Sequence, residues 1–94
     1  MLTLGIKGKE ETLVTEANSA KTMGSGTLDV FATPAMTALM EKTAWKSVAP
    51  YLEEGMGTVG TLLQITHDAP TPMGMQVWCA SDLTDIDGRR LFFA

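Results

Sequence analysis

Three side chains combine reactive chemistry with informative positions. His67 is the only histidine in the chain, and an imidazole, which changes charge near neutral pH, is the commonest side-chain acid or base. Glu41 is the one carboxylate in Val30–Ala49, VFATPAMTALMEKTAWKSVA, a run that reads as a single helix. At about 100° per residue, Lys42 and Lys46 share one side of that helix with Ala35, while Glu41 falls among Thr37, Trp45 and Val48. The carboxylate is therefore expected on the apolar side and largely dry, where an unpaired charge is costly, so it needs a partner or a catalytic task. It could orient an imidazole, act as a base or attack a carbonyl. Thr33 stands where the helix begins. Its hydroxyl is expected to cap the helix, with Pro34 at the first helical position, and the same hydroxyl can position a substrate or a water. Each residue also has a plainer reading: a packed histidine at a strand end, a cap, and a structural ion-pair partner.

With 94 residues, 45% of them hydrophobic and 19% charged, the chain has material for one small folded domain, residues 1–94. The net charge of −4 and the lack of any basic cluster beyond Arg89-Arg90 argue against a nucleic-acid partner. A single cysteine, Cys79, excludes an internal disulfide framework and suits a reducing compartment. No apolar run has the length of a membrane span, and the N-terminus lacks the order of a signal peptide, so a cytoplasmic, membrane-free protein is expected. Cys79 has no evident base partner in the sequence and reads as an inert thiol. Asp85 and Asp87 flank a turn and read as solvated, not as metal ligands. The two tryptophans and seven methionines read as core and subunit contacts.

The elements that must hold the reactive residues follow from pattern. Residues 2–16 contain one strand, with Leu13, Val14 and Thr15 as good strand formers, and 17–29 is a connection rich in glycine and serine. The helix follows, and Pro50 limits it or starts one further turn. Thr58–Thr66, TVGTLLQIT, is expected to be a strand by composition, and Asp68–Pro72, DAPTP, to interrupt it. A second long strand over Met73–Ile86 meets Asp87-Gly88, a two-residue hairpin signal, and Arg89–Ala94 returns antiparallel. No helix separates the last three strands, so the fold class is α+β with an antiparallel sheet. A helix apolar nearly all round must be wrapped, and a sheet curled around one long central helix is the hot-dog fold. The short last strand, ending on Phe92-Phe93-Ala94, leads us to expect either a covering chain or further C-terminal strands.

The order Thr33–Pro34, LMEK, Val-Gly-Thr, Ile-Thr-His, Pro-Thr-Pro-x-Gly and Asp-Gly-Arg-Arg resembles the fluoroacetyl-CoA thioesterase family of hot-dog proteins. The likeness runs from the Met23–Gly26 turn to Phe93. It implies an acyl-CoA thioesterase acting on a small or medium acyl group, with CoA present only as part of the substrate and no cofactor or metal. Carried over residue by residue, it implies a catalytic set of Thr33, Glu41 and His67, and a Gly60 that lines the acyl pocket. It also implies a homodimer or higher even oligomer. The stretch Gly26-Thr27-Leu28-Asp29 has no aromatic where the fluoroacetyl enzyme carries a phenylalanine lid. A hydratase or dehydratase of the same fold, and a non-catalytic acyl-CoA-binding module, are the alternative functions.

Overall fold

A computed structural model describes all residues from Met1 to Ala94. Strand β1 covers Lys7–Leu13, the one-turn helix α1 Ala20–Met23, the long helix α2 Thr33–Val48, strand β2 Gln76–Asp87 and strand β3 Arg90–Phe93. The sheet order is β1-β2-β3, antiparallel throughout, with Lys7 opposite Asp82 and Leu13 opposite Gln76. Ala94 extends the last ladder through paired backbone bonds to Asp82 of 2.9 and 3.0 Å. A bulge between Leu83 and Asp85 interrupts the β2–β3 register. The hairpin closes between Asp87 and Arg90, so its two central residues are Gly88 and Arg89, one position later than the dipeptide signal suggested. Gly88 has φ +60°, where a side chain would be strained.

The connection after β1 is more structured than its composition implies. Glu16–Asn18 forms a 3-10 turn, and Ser19 then caps α1 by accepting from the Thr22 N–H at 3.2 Å. At its other end α2 continues into a 3-10 turn over Ala49–Tyr51, as Pro50 permits.

On the inner face of β2, Val77, Cys79, Ser81 and Leu83 alternate with outward Trp78, Ala80 and Asp82. The inner face of β1 presents Gly8, Glu10 and Thr12. Helix α2 lies across these inner faces, with Leu39, Thr43 and Val48 buried. Val14, Phe31 and Leu39 form the core cluster. Toward the C-terminal half of α2 the approach is tight. A Cβ on Gly8 would stand 2.7 Å from the Thr43 carbonyl, 2.7 Å from Ser81 Oγ and 2.8 Å from Ser47 Cβ. Glu10 sits below Lys46 and Lys42 at 3.6 and 3.7 Å. Both lysines stay half exposed, so the wet stripe read from the helix wheel stands, and each pair contributes under about 1 kcal/mol.

The antiparallel sheet packs against α2, as the hot-dog expectation requires, while Trp45 stays 49% exposed. One expectation is corrected. Thr58–Thr66 is not a strand: residues 57–70 take part in no backbone–backbone hydrogen bond, and Val59 and Leu62 stand 86% and 88% exposed. Strand formers become a strand only against a partner edge, and this segment lies along α2, with Gly60 at Glu41 and His67 at Thr33, not along the free edge of β1 or β3.

Candidate active site

Helix α2 begins at Thr33, with Ala32 as the residue that precedes it and no side-chain cap. Thr33 is therefore the first helical residue and Pro34 the second, one position later than the capping pattern indicated. The reason is that the Thr33 hydroxyl is engaged elsewhere: its Oγ1 lies 2.7 Å from His67 Nδ1. A hydroxyl both donates and accepts, so this bond orients the ring in either tautomer and leaves Nε2 for chemistry. The first-turn N–H groups beside it have no partners within the helix, and Pro34 removes one of them.

Glu41 stands eight residues further along α2, about 12 Å up the axis. Contrary to the helix-wheel expectation, it is exposed. The 57–70 segment passes it without backbone pairing and leaves it open. Glu41 makes no ion pair or hydrogen bond, since Lys42 and Lys46 turn to Glu10. Its neighbour is Gly60: a Cβ there would fall 2.5 Å from Glu41 Oε2. Residues 60–67 thus run antiparallel to α2, bringing His67 to Thr33 and Gly60 to Glu41. The structure forms these two pairs and makes no direct contact between Glu41 and His67.

Beside His67 lies a partly open cavity of about 200 Å³ between α2 and β2, lined by Phe31, Met36, Leu39, Met40, Thr71, Val77, Trp78 and Cys79. Gly60 and Glu41 are not part of its wall. The sequence reading missed this group, although its signal was present. Val77 and Cys79 share the inward phase of β2 with buried Ser81 and Leu83, so Cys79 could have been placed facing the helix. No group of three or more His, Cys, Asp or Glu side chains is arranged to hold a metal, and no helix is long and apolar enough to cross a membrane.

A single helix laid on an antiparallel sheet, with its reactive residues at the helix start, is the architecture of a hot-dog thioesterase. Solved structures bear this out. A mutant of the fluoroacetyl-CoA-specific thioesterase FlK in complex with fluoroacetate and CoA superposes with a TM-score of 0.90 at 32% identity, covering 98% of this chain and 78% of that one. A Thermus thermophilus hypothetical protein described as a thioesterase superfamily member gives 0.86 at 28% identity, covering 97% and 67%. The fluoroacetyl-CoA thioesterase of Streptantibioticus cattleyicolor is 46% identical over 63 residues, which are 67% of this chain but 45% of that protein, so the match spans about half of its length. The profile of the fluoroacetyl-CoA-specific thioesterase family matches residues 14–94, and the chain belongs to that family.

Proposed function

We propose that this protein is an acyl-CoA thioesterase, hydrolysing a small or medium acyl-CoA to the free acid and CoA. The observation that carries the reading is the 2.7 Å Thr33–His67 bond at the start of α2, beside an apolar cavity. Thr33 holds the ring, and His67 Nε2 takes a proton from water as the oxygen attacks the thioester carbonyl. First-turn N–H groups of α2 face the oxyanion. The C–S bond then breaks, and the imidazolium returns its proton to the departing CoA sulfur. We also place Glu41 in the catalytic set, as base, nucleophile or partner of the imidazolium. That role requires the Gly60–His67 segment to draw the two together, since Glu41 lies beside Gly60, about 12 Å along α2 from Thr33 and out of contact with His67. The chemistry uses no metal or cofactor beyond the CoA of the substrate.

We further propose a homodimer or higher even oligomer. The chain exposes 6742 Å², against about 5,300 Å² for a compact protein of its mass. The excess, about 1,400 Å², is on the scale that a substantial interface covers per partner. The unpaired 57–70 segment contributes exposed Val59, Leu62 and Leu63 to that surface. Sedimentation that finds a stable folded monomer at micromolar concentration rejects this assembly. The lone thiol favours a cytoplasmic setting.

The activity is tested by following thioester absorbance across acyl-CoAs of increasing length with the wild type and His67→Ala. The expected outcome is hydrolysis by the wild type and a loss of roughly 100-fold or more in the variant. Binding without hydrolysis makes the protein an acyl-CoA-binding module, and loss of the conjugated enoyl absorbance of an added 2-enoyl-CoA without CoA release points to hydratase-type chemistry.

A further inference from the structure

We infer that the cavity beside His67 is the acyl-chain site and that it selects chains of about six carbons over two-carbon acyl groups. This rests on the thioesterase reading above. His67 forms part of the cavity wall, so an acyl group whose carbonyl sits at the imidazole has its tail directed between α2 and β2. The walls facing that tail are Phe31, Met36, Leu39, Met40 and Val77, with no charged side chain among the lining residues. A cavity of roughly 150 Å³ lined by Leu, Ile and Phe holds benzene, six carbon atoms. The present cleft, about 200 Å³ and partly open to solvent, has room for a hexanoyl tail, whereas an acetyl group leaves most of its apolar wall uncovered. Its two methionines are unbranched and adapt their shape to a flexible chain. A polar or charged tail terminus would lose its hydration there without gaining a partner.

Burying each further methylene should raise kcat/KM about fourfold until the cavity is full. The expected result is that hexanoyl-CoA exceeds acetyl-CoA by more than about tenfold and that the gain stops at longer chains. Val77→Phe fills the cavity from β2 and should lower the hexanoyl-to-acetyl ratio by about tenfold. Cys79 gives a second readout that needs neither turnover nor a variant. It is the chain's only thiol and lines the cavity, so the non-hydrolysable thioether S-hexyl-CoA should slow its alkylation by N-ethylmaleimide more than S-ethyl-CoA does. Hydrolysis that is no faster for hexanoyl than for acetyl, or equal alkylation with both thioethers, overturns the inference and leaves the thioesterase reading intact. Selective protection by S-hexyl-CoA with no hydrolysis of any thioester does the reverse: it rejects the thioesterase reading and supports the acyl site. An unchanged ratio in folded Val77→Phe also overturns the inference.

Discussion

The two halves of α2 face the same sheet and are built differently. Around Thr43 and Ser47 the facing residues are Gly8 and Ser81, and helix and sheet approach until not even a methyl group fits on Gly8. Around Met36 and Met40 the facing residues are larger, Phe31, Val77 and Cys79, and a cavity remains between the layers. The small residues fix where the helix sits, and the large ones hold the layers apart at the end that carries Thr33 and His67. One half of the helix serves chiefly to anchor, and the other to hold chemistry.

That division can be broken by moving an effect from one half to the other. The largest change is expected in catalysis: Glu41→Gln should lose on the order of 100-fold or more in turnover. Because Glu41 is exposed, its unfolding free energy should stay within about 0.5 kcal/mol of wild type. Early unfolding with an unchanged rate would make Glu41 a structural residue. Next comes the anchored half. Gly8→Ala places a Cβ against the Thr43 backbone carbonyl, which cannot swing aside, and should cost about 2 kcal/mol and about 10 °C in Tm. Its kcat at a temperature where it stays folded should match wild type, and a large kcat loss would show that the halves are not separable. The smallest effect belongs to Thr33→Val, which keeps the shape but removes the hydroxyl bound to His67. It should lower kcat about fivefold, the scale of one hydrogen bond, with little change in Tm. No loss at all would mean that His67 is held by its packing.

The parts of this fold that are local in origin were legible. The helix expected over Val30–Ala49 is present as Thr33–Val48, because proline at its start and proline just past its end act within a few residues. The β2–β3 hairpin announced itself through Asp87-Gly88. What failed depended on neighbours. Thr58–Thr66 has the composition of a strand, but composition supplies no pairing edge. The wheel set Glu41 among Thr37, Trp45 and Val48 and so expected it to be dry, yet burial requires something laid over that side, and the 57–70 segment leaves it open. Thr33 was read as a cap because capping is what a helix-start hydroxyl does alone, and His67, distant in sequence, takes that hydroxyl instead. Gly60 was singled out for a pocket wall through the resemblance, and it stands against Glu41. The cavity needed the β1–β2 register and the helix position together, and no single stretch encodes those.

The β1–β2 ladder also constrains how this molecule folds. Its outermost rung, with the Lys7–Asp82 ion pair, joins residues 75 positions apart. Closing so long a loop costs entropy before any contact repays it, and sheets paired at such separations assemble slowly. At a synthesis rate of about 5–20 residues per second, β1 and the Leu39 and Thr43 face of α2 leave the ribosome several seconds before β2 exists to receive them. The central strand is made late and the helix it covers is made early, so through that interval the nascent chain carries its stickiest surface uncovered.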